Sequence, residues 1–182
     1  MKKMKRLVAV LLAGVMVLAM LTACGCGGSS TPTINEEKVE ALYMDIYNAA
    51  LGADHENDAE LEKLAKQTLV DSLDENGALN SGKKMTVRNY DKNSSLKVWT
   101  TVTILAQPEN ENVPYGITSK ELAETSANKE KAIDEARKNV VNMGNNNMEV
   151  IKKTTTGFAV GAVKKGDKIY VAIAMKTDMN LK

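Results

Sequence analysis

Histidine is almost missing from this chain: of 182 residues only His55 carries an imidazole. That scarcity leaves no set of histidines for a closed zinc site, and no base beside a serine or cysteine for nucleophilic catalysis. Cysteine is as scarce, with Cys24 and Cys26 two residues apart and none in the remaining sequence. The bulk of the chain therefore folds without disulfides. Aromatic residues make up 4% of the sequence, with one Trp and one Phe, and there are three prolines. No excess of positive charge exists either: 24 basic residues face 23 acidic ones, and Lys2, Lys3, Lys5 and Arg6 all lie in the first few positions. Everything after them is mildly acidic, which argues against nucleic acid as a partner. The longest apolar run, Leu7 to Leu21, is shorter than the ~20 residues a membrane span requires. No phosphate-cradling glycine loop is present.

What is there begins with the leader. A basic start, the apolar run and small Thr22-Ala23 before Cys24 are the three parts of a secretory signal. Leu21-Thr22-Ala23-Cys24 resembles the lipobox of bacterial lipoproteins, and Gly25-Cys26-Gly27-Gly28-Ser29-Ser30 follows as a flexible spacer. The resemblance implies that residues 1–23 are removed and that the Cys24 thiol receives a diacylglycerol. At roughly 0.8 kcal/mol per buried methylene, two or three chains hold a protein durably to a bilayer. The expected organisation is a signal peptide over 1–23, a lipidated cysteine and tether over 24–33, and one α+β domain over 34–182. That last segment, of about 150 residues, has ordinary single-domain size. The expected location is the extracytoplasmic face of a bacterial membrane, with Cys26 a free tether residue.

Apolar periodicity divides the domain. Val39, Leu42, Tyr43, Ile46, Tyr47, Ala50 and Leu51 recur at helical spacing between Thr33, three residues before Glu36, and Gly52. Asp58 is placed to cap a second helix with the stripe Leu61, Leu64, Ala65, Thr68, Leu69 and Leu73, ending near Asn76-Gly77. Residues 78–95 read as loop with a short strand near Met85 and Val87. Leu96 to Leu105 alternates at period two and predicts a strand, and Pro108 and Pro114 bracket a loop. Thr118 and Glu121 have capping-box spacing for a short helix. Asn128 is placed to cap a longer one, with the stripe Ala132, Ile133, Ala136, Val140 and Met143 and a stop at Gly144. Finally Thr155–Val163 and Ile169–Met175 flank the hairpin turn Lys164-Lys165-Gly166-Asp167. Both faces of that hairpin are apolar or small, so helical layers flank the sheet. The expected fold is α+β, a three-layer α-β-α sandwich around a small, mainly antiparallel sheet.

The layout is similar to the CAP superfamily of cysteine-rich secretory proteins, antigen 5 and pathogenesis-related proteins. Asp58-Ala59-Glu60-Leu61 resembles the start of that family's second helix. Phe158-Ala159-Val160-Gly161-Ala162-Val163 and Ile169-Tyr170-Val171-Ala172-Ile173 resemble its final hairpin. Members with a metal cleft use two histidines and two acidic residues; here Asn145 of Gly144-Asn145-Asn146-Asn147 stands where one histidine falls, and His55 has no second histidine after it. The resemblance thus implies a degenerate, non-catalytic domain without metal or cofactor, its cleft falling among Asn145, Glu121 and the loop after Leu73.

Few residues invite chemistry. His55 with Asp54, Glu56 and Asp58 lacks both a zinc ligand set and the ordered oxygens of a calcium loop, and reads as a solvated loop. Asp134-Glu135 and Glu36-Glu37 are adjacent on helices and do not face one another. Trp99, on the mixed face of its strand with Lys97 and Thr101, is a candidate for a groove or for packing. Asn145, Asn146 and Asn147 are candidates for hydrogen bonding to a sugar or peptide, or for a helix-ending loop. The expected partners are the bilayer, through Cys24, and an envelope protein, peptide or glycan. Alternatives are an envelope hydrolase using acids and lysines, and a cystatin-like inhibitor domain with one helix wrapped by a curved sheet.

Overall fold

The computed structural model describes residues 34–90, 97–143 and 147–181. Every described residue belongs to one unit, Pro32–Lys182; Cys24, Cys26 and Thr33 lie outside the described residues. Among the described residues no helix is long and apolar enough to cross a membrane.

Helix α1 spans Glu36–Leu51. Its N-cap is Asn35, whose side chain accepts from the Lys38 backbone N–H, and Gly52 closes it in the left-handed conformation at φ 63°. The capping residue is thus Asn35, two positions after the expected Thr33. Helix α2, Ala59–Ser72, is capped as expected by Asp58. It stops short of the expected Asn76-Gly77. Leu73 turns extended and bridges Leu79, while Asp74 Oδ1 gathers the Asn76 and Ala78 N–H groups into a local turn.

Strand β1, Thr86–Tyr90, pairs antiparallel with β2, Val98–Ile104. The expected Pro108–Pro114 loop is instead a small hairpin of β3, Ala106–Gln107, and β4, Asn110–Pro114. A two-residue strand β5, Gly116–Ile117, follows. Helix α3, Ser119–Ala127, carries the expected capping box between Thr118 and Glu121. Helix α4 is Lys129–Met143; the Asn128 side chain expected to cap it instead turns its amide back to the Glu124 carbonyl and closes α3. Helix α5, Met148–Thr154, has no counterpart in the sequence reading; its seven residues hold two buried ones, Ile151 and Thr154, too few for a periodic signal. The closing hairpin is β6, Thr155–Lys165, with β7, Lys168–Asp178; both strands run past the expected 155–163 and 169–175, Lys165 pairs with Lys168 next to the expected turn's Gly166-Asp167, and Gly166 holds φ at 62°.

Strand β7 is the centre of the sheet. It pairs with β6 along one side and with β2 and β5 along the other, and β1 lies outside β2; every pairing is antiparallel. Alternation sends Phe158, Val160, Ala162, Ile169, Val171, Ile173 and Met175 into one core with α1, α4 and α5. The other face packs Ala159, Tyr170, Ala172, Ala174, Val102 and Ile104 against Leu61, Ala65 and Leu69 of α2 and Leu73 just beyond it. The fold is thus α+β, a small antiparallel sheet between two helical layers, as its two-sided apolar strands require.

Small residues set the spacing on the α2 side. A Cβ at Gly161 would meet Ala65 Cβ at 2.8 Å and the backbones of Glu62 and Lys66 at 2.9 Å. Helix backbone therefore rests directly on β6.

Among the described residues the outer edge of β6 has no strand partner, and polar groups close it. Phe158 O accepts from Asp58 N–H (3.2 Å), and the Asn57 amide both accepts from Val160 N–H (2.9 Å) and donates to Val160 O (3.2 Å). Ala162 N–H donates to Glu40 Oε1 and Lys164 N–H to Glu36 Oε1, each at 2.8 Å. Lys66 ties the two helical layers across this edge, 2.9 Å from Glu40 and 2.6 Å from Glu62. Burial acts to lower the Lys66 pKa, but hydrogen bonds to Glu62 and Glu40, with their charges, outweigh it and raise it.

Glu40→Ala strips the buried Ala162 N–H of its acceptor and is expected to cost about 2 kcal/mol, whereas Glu40→Gln keeps an acceptor and costs less. Equal urea midpoints for the two variants would contradict the capping role. Gly161→Ala is expected to cost about 1–3 kcal/mol through overpacking against helix backbone; the same urea titration reads it as a lowered midpoint, and an unmoved midpoint would mean that α2 is not seated on β6.

Candidate functional site

Where α2 ends, the β3–β4 hairpin begins and α3 starts, the chain leaves a hollow of about 270 Å³. Its floor is Tyr170 of β7. The Tyr170 hydroxyl donates to Asn76 O at 3.2 Å, and the ring lies where side chains of residues 77 and 116 would otherwise project. A Cβ at Gly77 would fall 2.0 Å from the ring, and one at Gly116 would fall 2.8 Å from it. Gly77 also holds φ at 79°, so that position needs glycine twice over. One wall is the 76–78 turn. The other is Gln107, Val113 and Pro114 of the hairpin, with Tyr115 and Glu121 at the end and Lys168 at the lip.

The lining mixes polar and apolar groups and holds one carboxylate, Glu121, and one ammonium, Lys168. Glu121 Oε2 accepts from the Thr118 N–H and hydroxyl, each at 2.7 Å, which fixes the carboxylate at the start of α3. The half-buried Tyr115 bonds the same carboxylate. Burial first, then the charges of Glu121 and Glu124, that bond and Glu135, push its phenol pKa up. Burial, then Asp167 and Asp74, raise Tyr170 likewise. Behind Tyr115 stands Tyr43 of α1, raised chiefly by burial and then by Tyr47 and Tyr115. Tyr47 is fully buried, its oxygen accepting from the Asn139 amide at 3.3 Å, and burial pushes its pKa up to about 12.

A second, more open hollow of about 480 Å³ is lined by His55, Glu56, Asp58, Glu60, Thr156 and Phe158, among others. The expected solvated loop is more ordered than a polar linker requires. Asn48 grips the His55 backbone, accepting from its N–H and donating to its carbonyl at 2.9 Å each, and the imidazole stacks on Phe158 at 6.1 Å. Asp58 is occupied in capping α2. Among the described residues no three His, Cys, Asp or Glu side chains converge on a possible metal position.

Trp99 lines neither hollow. The Arg88 guanidinium sits 5.6 Å from its ring centroid, donates to Thr101 Oγ1 at 3.2 Å and reaches the Met143 carbonyl at 2.6 Å. Arg88 thus fastens β1 and β2 to the C-terminus of α4, where a cation is favoured by the helix dipole. Asn147 caps α5, accepting from the Glu149 and Val150 N–H groups; Asn145 and Asn146 lie outside the described residues. Of the cleft expected among Asn145, Glu121 and the loop after Leu73, Asn145 lies outside the described residues, while Glu121 and the 76–78 turn line the Tyr170 hollow. Tyr115 and Tyr170 were not among the expected site residues. The signal for Tyr170 is its place in a row with Ala172 and Ala174: a single large ring on a small-residue face needs a glycine opposite.

No protein-family model matches this chain, nor does a curated protein or a solved structure.

The buried phenols give the domain a defined alkaline limit. Below the ordinary tyrosine value of 10 both folded and unfolded chains keep Tyr47 neutral. Between that value and about 12 the unfolded chain ionises first, so stability falls as pH rises, by up to about 3 kcal/mol from this residue. Urea midpoints measured from pH 9 to 11.5 are expected to drop, and Tyr47→Phe to make the drop shallower. Parallel profiles for the two proteins would contradict the assignment.

Proposed function

We propose that this chain is a membrane-anchored extracytoplasmic lipoprotein whose body is a non-catalytic, CAP-like binding or envelope-associated module. The observation that carries the reading is the leader: a basic start, an apolar run too short for a span, and Leu21-Thr22-Ala23-Cys24 before a Gly/Ser spacer. Cys24 is the acylated residue, and the tether holds the domain off the bilayer.

The Tyr115–Tyr170 hollow is the binding surface of the module. It lies between Glu121 and the turn after Leu73, where the CAP resemblance puts a cleft. Its groups favour binding over catalysis. Phenols with raised pKa stay neutral near pH 7, and the carboxylate present is committed to a capping box. No imidazole or thiol lines the hollow, so a nucleophile there has no paired base. Helices on both faces of the sheet also favour a sandwich over a single helix wrapped by strands.

The test is fractionation of cells producing the full chain and its Cys24→Ser variant. The parent chain is expected in the membrane fraction, resistant to high salt and extracted by detergent. The variant is expected in the soluble or secreted fraction with its fold intact by circular dichroism; retention of the variant in membranes would overturn the anchor.

A further inference from the structure

We propose that Asn76 is a spontaneous modification site: when the 74–78 turn opens, the Gly77 backbone nitrogen closes an imide on the Asn76 side chain, and water reopens that imide mostly to isoaspartate. This chemistry belongs to the turn itself and holds whether or not the hollow beside it takes a ligand.

Asn76 is the one asparagine of the chain that is followed by glycine. Every other asparagine precedes a residue whose side chain crowds the nitrogen that must attack, a barrier that glycine lacks. Asn76 is exposed, and none of the hydrogen bonds that hold its turn uses its carboxamide. The reaction needs only water and its hydroxide. The Gly77 nitrogen loses its proton to hydroxide and attacks Asn76 Cγ; the new N–C bond forms as the Cγ–Nδ2 bond breaks, and Nδ2 takes a proton and leaves as ammonia. Water then cleaves one side of the cyclic imide. Cleavage at the side-chain carbonyl leaves aspartate in a normal chain. Cleavage at the backbone carbonyl leaves isoaspartate, whose chain runs through Cβ and Cγ.

The folded turn acts as a brake. Gly77 N–H donates to Asp74 O at 3.1 Å, which aims the nitrogen at Asp74. Asp74 keeps the turn in that shape: its Oδ1 accepts from Asn76 N–H at 2.8 Å and Ala78 N–H at 2.9 Å, and its own N–H donates to Ala78 O at 2.9 Å. The Tyr170 hydroxyl donates to Asn76 O at 3.2 Å. Attack requires release of the Gly77 N–H, so the reaction runs through local opening of the turn. Isoaspartate does not fit back. It lengthens the backbone by one carbon just before Gly77, where even a Cβ would fall 2.0 Å from the Tyr170 ring. Conversion therefore parts the turn from Tyr170 and rearranges one wall of the hollow.

The test incubates the full chain in zwitterionic detergent at neutral pH, folded or unfolded in guanidinium chloride, beside its Asp74→Ala and Asp74→Asn variants. Peptide mass spectrometry reads conversion at each asparagine, with electron-transfer fragmentation separating isoaspartate from aspartate. In the unfolded chain Asn76 is expected to convert ahead of every other asparagine. In the folded parent it is expected to convert about tenfold more slowly, the scale of one or two net hydrogen bonds. Asp74→Ala frees the turn and is expected to convert about threefold faster than the folded parent. Asp74→Asn loses the same charge but keeps an oxygen acceptor, and stays near the parent rate. The isoaspartate chain, separated by ion exchange, is expected to unfold at a lower denaturant midpoint than Asn76→Asp, which has the charge without the extra carbon. If another asparagine converts first in the unfolded chain, or Asn76 never converts in the folded one, the site is overturned. Equal folded and unfolded rates overturn the brake, as does a rate for Asp74→Ala at or below the parent's. If Asp74→Ala loses its circular dichroism, the parent's folded and unfolded rates decide alone. Equal midpoints for the isoaspartate and Asn76→Asp chains overturn the effect on the wall.

Discussion

The fold depends on how the free edge of β6 is closed. An open strand edge presents a row of amides that invites pairing with another chain. Here Glu36, Glu40, Asn57 and Asp58 occupy that row one position after another, from Lys164 N–H to Phe158 O. Two of these residues belong to α1 and two to the connection into α2, so the segment that closes the edge also carries the chain from one face of the sheet to the other. Layering and edge protection are thus one interaction. Lys66 reinforces it by bridging Glu40 and Glu62 over the top of the strand.

Once α2 is seated through Ala65 on Gly161 of β6, its C-terminus is fixed above β7. The turn from Asp74 to Ala78 then lies beside the Tyr170 ring. The candidate site follows from the core in this way: the small residues that let the helix approach the sheet leave a single large ring, and two glycines let backbone from distant parts of the chain close around it. The capping box of α3 brings Glu121 to the same place.

Much of this was legible because the relevant signals are local. Gly52, Asp58, Thr118 with Glu121, and the alternation through 155–175 each act within a few residues, and each element they announce is present. The first helix cap was misplaced by two residues because Thr33 and Asn35 both have capping chemistry, and only geometry chooses Asn35. Helix α5 escaped notice because two buried residues make no stripe. Trp99 was a fair groove candidate by its alternation; Arg88, eleven residues earlier in sequence, covers it through a contact between strands that spacing does not reveal. Of the three parts expected together, Asn145, Glu121 and the loop after Leu73, the last two line the hollow. Its aromatic floor depends on the Gly77–Tyr170 and Gly116–Tyr170 approaches, which only the tertiary fold creates.

The closed edge is therefore the point at which the whole account is most exposed. Amide hydrogen exchange at Val160, Ala162 and Lys164 in the folded protein tests it directly, because these N–H groups are protected by side chains alone. The account predicts that Val160 and Ala162 exchange as slowly as the buried strand amides of β7, with Lys164 somewhat faster at the exposed end. Exchange of all three at the rate of open loop amides would show that Asn57, Glu40 and Glu36 do not hold the strand, and the clamp that orders both helical layers would be absent.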